Sequence, residues 1–367
     1  MFRPLLVLGV VLAVLLGADR VLARRERARR SGDPAVERLV SSDRAASGKI
    51  AAITIESASG ELFYARKKSL WRSREAHGAV CGESVVRELL AAFLDARGVV
   101  RAEGGRDAAT YGFGPGKLLT LTLHGPKALD AGDMDVLFAF EVGRSFAEGP
   151  SGRAFVREKG SDRIFEIDRD PRRLVEVPMG SLLPPLVDTR ILAGSLGEGF
   201  RGFREFRIET PGSGSVTVAV DPSAASPSSS EADAPAWTLD RGKGSETFPG
   251  WRVGGYIGLW LRGRFEETES PARARDRAFD PPAAIVHITP EGSEPIELWI
   301  SRVDDRNRAL AWNKNSNVVM FVPGRWQPLL APNAEMFLDA SRPNPWEEWL
   351  RKPPSDARSV DARTGPR

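Results

Sequence analysis

Between Tyr111 and Ile167 the chain alternates apolar and polar residues in one segment after another, and this period of two restricts the fold more than any other feature. After the opening YGFGPG, the apolar positions are Leu119, Leu121 and Leu123, then Val136, Phe138, Phe140 and Val142, then Phe155, Ile164, Phe165 and Ile167. Alternation broken by turn residues predicts antiparallel strands that bury one face. A similar passage returns further on as AFDPPAAIVHIT, PIELWISRV and RALAWNKNSNVVMFVPG. The expected fold class is therefore α+β: two copies of a module that holds a β-hairpin, an amphipathic helix and an antiparallel sheet, after an N-terminal hydrophobic helix.

The first copy is read over residues 49–198. IAAITIES and ELFYAR flank Ser59 and Gly60 as a hairpin, and Trp71 follows as a core anchor. In Glu83–Arg97 the residues Val86, Leu89, Leu90, Phe93 and Leu94 keep helical spacing, which predicts an amphipathic helix ended by Gly98 and laid on the sheet. Asp170 and Pro171 start a short helix through Leu174 and Val177 that Pro178 closes. The second copy is read over 199–340. FREFRIET, a Pro-Gly turn and SVTVAV repeat the hairpin, and Trp237 stands where Trp71 stood. Residues 221–235 are Ser-, Pro- and Ala-rich, too polar to bury, and predict a disordered insert. Trp251–Phe265 takes the helix slot despite Gly254, Gly255 and Gly258, each of which costs about 1 kcal/mol relative to Ala in a helix. Close packing against another backbone is the reason to keep them. The tail 341–367 lacks apolar period and is expected to be mostly disordered.

Ahead of both copies, Pro4–Ala18 carries no charge. As a helix these residues span about 22 Å against a hydrocarbon core of about 30 Å. Residues 1–23 are accordingly a signal peptide ending in Val21-Leu22-Ala23, or a signal-anchor with Asp19 and Arg20 at the interface. Residues 24–48 form a basic, polar tether. The excess of Arg after the apolar run places the main domain in the cytoplasm by the positive-inside rule, whereas a secretory signal places it outside.

Composition excludes some classes. Acids and bases alternate nearly everywhere beyond residue 30, and 52 basic residues against 49 acidic leave no basic face for nucleic acid. One cysteine, Cys81, forbids an intrachain disulfide. The cluster Gly112-Phe113-Gly114-Pro115-Gly116-Lys117 resembles a phosphate loop but is one residue short, has Leu118 where Ser or Thr would hold magnesium, and leads into a strand. It reads as a turn. His77, His124 and His287 have no partner at ligand spacing, so no metal and no cofactor are expected. Cys81 precedes a helix but reads as a small buried side chain, and the acidic pairs Glu266-Glu267, Asp304-Asp305 and Glu347-Glu348 read as solvated charge. No catalytic residue is assigned. Of nine tryptophans, eight lie in the second half; most are assigned to packing, and Trp346 and Trp349 to contact with a partner.

Taken in order, the hairpin with Trp71, the helix, YGFGPGKLLTLTL, FEVGRS, AFVREKGSDRIFEID and VDTRIL resemble the DUF4340 family, best over Lys49–Ile208. The second copy is looser, with Ser301 in place of Gly143. The resemblance implies a single-pass, inner-membrane protein with an extracytoplasmic soluble region, accessory to envelope ABC-type transport systems and bound to other envelope proteins. It carries over no catalytic or binding residue. Two functions follow as expectations: a membrane-anchored, non-catalytic scaffold, or a binding module that holds a small molecule or envelope polymer in a cleft between the two copies.

Overall fold

The computed structural model describes residues 36–41, 50–103, 108–114, 118–126, 135–146, 152–176, 181–197, 199–221, 236–242, 244–248, 250–338 and 344–346. The hydrophobic N-terminus, the 222–235 part of the insert and residues 347–367 lie outside them. Among the described residues no helix is long and apolar enough to cross a membrane.

Two antiparallel sheets and a few helices make a mixed α+β fold. The first sheet contains β1 (Val36–Arg38), β2 (Ala52–Ser57), β3 (Gly60–Lys67), β4 (Leu70–Ser73), β5 (Ala79–Val80), β6 (Arg97–Ala102), β7 (Leu119–His124), β8 (Val136–Phe146), β9 (Arg153–Glu158) and β10 (Ile164–Ile167). Its spatial order is β5-β4-β3-β2-β7-β8-β9-β10-β6-β1. The second contains β11 (Phe203–Thr210), β12 (Gly214–Val220), β13 (Trp237–Asp240), β14 (Ser245–Phe248), β15 (Glu267–Glu269), β16 (Ala284–Pro290), β17 (Ile296–Ile300), β18 (Arg308–Asn313) and β19 (Val318–Pro323). Its order is β14-β13-β12-β11-β16-β17-β18-β19-β15. Apart from β1, the two sheets share one strand order.

They also share register. Ile55 pairs with Leu62 and with Leu121, and Leu121 with Phe140; Ile208 pairs with Val216 and with Val286, and Val286 with Leu298. Counting outward by equal steps, Trp71 faces Arg66 and Trp237 faces Val220, so both indoles occupy the same place. Both are buried. Because side chains alternate faces, each equivalence fixes which residues of a strand point into the core.

One helix covers each sheet. Helix α1 (Glu83–Leu94) buries Val86, Leu89, Ala92, Phe93 and Leu94, and Phe93 stacks on Phe140 with ring centroids 5.1 Å apart. Helix α3 (Trp251–Arg262) sits in the same slot and buries Val253, Tyr256, Leu259 and Trp260, with Tyr256 against Phe206 at 4.9 Å. Helix α2 (Arg172–Val175) follows β10. Helix α4 (Pro271–Ala278), which the periodicity does not announce, lies over the opposite face of the second sheet, where Ala274 packs with Phe279, Trp312 and Val319.

Three local expectations change. Helix α1 stops at Leu94, and Gly98 lies inside β6, where it pairs with Ile167. A Cβ there would sit 2.4 Å from the Glu166 carbonyl oxygen, so close approach of the neighbouring strand, rather than a helix end, requires the glycine. The tether does not run unbroken to residue 48: Val36–Arg38 pairs with Arg97–Val99, and Leu39 and Val40 are buried in the first core. The segment from residue 341 read as tail is packed in part, because Asn344 and Trp346 are buried against α3.

The sheets are joined through residues 181–197. Gly82 N donates to Leu186 O and Asp188 N to Val80 O, both at 2.9 Å, so this strap extends the β5 edge of the first sheet. Phe265 N then donates to Thr189 O at 2.9 Å and Ile191 N to Gly263 O at 3.1 Å, which ties the same strap to the end of α3. Ala76 and Ala79 from the first sheet, with Leu183, Val187, Ile191 and Leu192 from the strap, belong to the core of the second. Buried Asn313 donates to Ile191 O and Ser195 Oγ, and Arg72 Nη1 donates to Ser316 O at 2.7 Å across the joint.

Gly98→Ala is expected to lower the stability of the first sheet by about 1–3 kcal/mol through the forced backbone shift. Denaturant midpoints measure this, and an unchanged midpoint would contradict the close approach.

Candidate functional site

The residues that invite chemistry in the sequence are dispersed. Gly112, at φ +85°, turns the chain so that the Tyr111 carbonyl accepts a 2.6 Å hydrogen bond from Arg144 N. A Cβ on Gly112 would fall 2.5 Å from that same Arg144 nitrogen. The described part of the glycine cluster thus lets a loop approach β8, and a strand follows it, as a turn requires. Residues 115–117 lie outside the described residues.

His77 is exposed, and His287 is half-buried with Nε2 3.6 Å from Glu209 Oε1. His124 is buried, its Nε2 2.8 Å from Thr54 Oγ1, and burial lowers its pKa from the ordinary value of 6.5. Among the described residues no group of three or more His, Cys, Asp or Glu is placed to hold a metal ion. Burial, partly offset by Arg72, pushes the Cys81 thiol up to about 12, so it stays protonated at neutral pH. Glu267 pairs with Arg308 Nη1 at 2.9 Å, and Asp304 accepts from the backbone N–H of Arg306 and Arg308. Glu347-Glu348 lies outside the described residues.

The tryptophans separate by depth. Trp346 is fully buried: its ring stacks on Phe337 at 5.1 Å, Nε1 donates to Leu329 O at 3.1 Å, and its Cβ would lie 2.8 Å from a Cβ added at Gly255. It is a core residue, and the contact role read for it is corrected. Its packing also explains Gly255, whereas Gly254 faces open space. Trp349 lies outside the described residues. Lys314 Nζ covers Trp312 and Trp299 at 3.5 and 4.2 Å from the ring centroids. Trp251, 54% exposed at the start of α3, is the large apolar side chain offered to solvent there.

Two clefts occupy matching places. The β8–β9 register shifts between Val142 and Ser145, so Gly143 and Arg144 leave the regular ladder and, with Ser145, Thr110, Gly112 and Arg172, line a cleft of about 450 Å³. In the second sheet β17 ends at Ile300, and Ser301, Arg302 and Val303 line a cleft of about 360 Å³ with Asp280 and Arg308. Val142 faces Leu119 and Ile300 faces Ala284 at equal steps from Ile55 and Ile208, so Arg144 and Arg302 are equivalent. Neither cleft is lined by residues of the strap.

Their charge differs. In the second cleft Arg308 is matched by Glu267 and by Asp304, with Nε 3.5 Å from the latter, and Asp280 lines the wall beside Arg302. In the first, Arg144 and Arg172 line the cleft and, among the described residues, no acid does. Arg172 Nη2 donates to Val142 O at 2.7 Å and also to Gly143 O, which holds the irregular end of β8. Its Nη1 lies 3.7 Å from Asp170 Oδ1 and makes no hydrogen bond. Burial lowers the Arg172 pKa from 12.5, opposed by Asp170 and Glu176, yet a guanidinium so shifted remains charged. The sequence does not single out Arg144 or Arg172. Its only pointer is the Gly-Arg-Ser step after Val142, which reads as one more strand residue until the ladder is seen to break there.

Comparison of the chain with known protein families, with curated proteins and with solved structures found no match.

Trp346→Ala is expected to destabilise the second sheet by about 3–5 kcal/mol, against about 0.5 kcal/mol or less for exposed Trp251→Ala. Equal effects in chemical denaturation would restore a surface role for Trp346. For His124 the folded pKa lies below the unfolded one, so the unfolded chain binds the extra proton first. Its contribution is complete above pH 6.5 and is lost as pH falls toward the folded value. Stability measured from pH 7.5 to 5 should fall more steeply in the native chain than in His124→Gln, and parallel profiles would contradict this.

Proposed function

We propose that this chain is a membrane-anchored, non-catalytic accessory protein of the bacterial cell envelope, auxiliary to an ABC-type transport system, with two copies of one α+β module as its body. The observation that carries this reading is the common strand order and register of the two sheets, with a helix in the same slot and a cleft in the same place on each. Duplication of one folding unit accounts for that agreement, since unrelated sheets have no reason to match Ile55 with Ile208 and Trp71 with Trp237 in one register.

A binding role follows from how the copies are joined. The strap hydrogen-bonds to both, and side chains of both share a core, so the two equivalent surfaces are held in a fixed relation. A fixed pair of surfaces grips a large partner at two points without ordering a linker on binding. Residues 1–23 supply the anchor and the soluble region is extracytoplasmic. Trp251, near the edge strand β14, is the aromatic contact that this reading assigns in place of Trp346.

Affinity purification of the full chain from native membranes, with mass spectrometry of what accompanies it, tests the role. Stoichiometric recovery of a transporter permease or ATPase is expected, and recovery of the protein alone would overturn the accessory reading.

A further inference from the structure

The cleft at the irregular end of β8 has a feature that scaffolding does not require. Two guanidinium groups, Arg144 and Arg172, line it together with the hydroxyls of Thr110 and Ser145, and among the described residues no carboxylate lines it. Within the described residues the Arg144, Thr110 and Ser145 side chains make no hydrogen bond or ion pair, and Arg144 only approaches the Phe146 ring at 5.4 Å. Arg172 is fixed by its bonds to Val142 O and Gly143 O, so its guanidinium is held in place without a ligand, while Nη1 is buried 3.7 Å from Asp170 Oδ1. The remaining wall is Ala109 and the glycines 112, 114 and 143, which keep bulky side chains away from the charges.

From this we infer that the cleft is an oxyanion site, taking one carboxylate or phosphate group between Arg144 and Arg172. Fixed positive charge, the spare donors of Arg144, Thr110 and Ser145, and a wall of small residues are what such a group needs, and charge-assisted hydrogen bonds are the strong ones. The volume, about 450 Å³, suits a small anion or the end of a larger one. Asp170, 3.7 Å from Arg172 Nη1, is outside the lining and orients the arginine by accepting from its backbone N–H at 3.0 Å. The equivalent cleft of the second sheet serves as an internal control, because Asp280, Asp304 and Glu267 offset its arginines. The inference stands independently of the accessory role, since it rests on this one cleft.

The test uses the full chain in detergent micelles at constant ionic strength, titrated calorimetrically with inorganic phosphate, with acetate and with a short Glu-containing peptide. One saturable site is expected for at least one probe. Arg144→Gln should weaken it by about tenfold or more, while Arg302→Gln leaves it unchanged. Arg172→Lys, which keeps the charge but loses the planar fork, should weaken it as well and covers the case in which Arg172→Gln does not fold. Tighter binding of phosphate assigns the site to phosphate or its esters, and tighter binding of the peptide assigns it to a partner's carboxylate. Absence of saturable binding by all three probes, or undiminished affinity in a folded Arg144→Gln protein, would overturn the inference.

Discussion

The strap at residues 181–197 decides whether this chain is two sheets or one body. A sheet edge exposes unpaired N–H and C=O groups, and the β5 edge would be open to any extended segment. Here Leu186–Asp188 fills it, and the next few residues pair with Gly263 and Phe265 at the end of α3, which packs on the second sheet. The same irregular segment therefore satisfies backbone groups on both sides of the joint. Leu183, Val187, Ile191 and Leu192 seal it with apolar surface, and Asn313 satisfies the carbonyl of Ile191 that would otherwise be buried without a partner. Desolvated polar groups left unpaired at such a place would cost about 1–3 kcal/mol each, so the strap and the joint stabilise one another.

Each sheet then follows the same plan, with one helix on one face and the loop after its first edge crossing the other. In the first sheet that loop brings Tyr111 and Phe113 onto Phe155 and the broken end of β8. In the second, helix α4 does the covering, against Trp312 and Val319. The difference matters for the clefts. A glycine-walled loop beside two arginines makes a positive hollow at one sheet, and a helix with an acidic neighbour makes a charge-balanced one at the other. Under the proposed duplication, one scaffold has diverged where its sheets stop being regular, which is where side chains are free to change without disturbing a core.

Much of this was legible in the alternation of the chain. Hairpins at Ser57–Gly60 and Thr210–Gly214, the buried faces of β7, β8, β16 and β17, and the helices α1 and α3 all follow local pattern. What was not legible depends on distant neighbours. Gly98 looks like a helix stop because nothing local tells of the Glu166 carbonyl beside it. Strand β1 has no buried residue, so its pairing with β6 leaves no apolar period to read. Trp346 sits near the chain end among polar residues, and only the hollow beside Gly255 shows that its ring belongs inside. The arginines of the first cleft were hidden for the same reason, since Arg144 and Arg172 are brought together by a register shift that no periodicity announces.

The claim on which the rest depends is that the strap locks both sheets into one cooperative body, and native-state hydrogen exchange tests it most directly. Amides of Gly82, Asp188, Ile191 and Phe265 should exchange with the same opening free energy as those of the central strands at Leu121 and Val286. Exchange of the strap amides at the rate of exposed loops, while the central strands stay protected, would mean that the sheets are separate units tied by a loose linker, and the fixed relation between the two clefts would be lost.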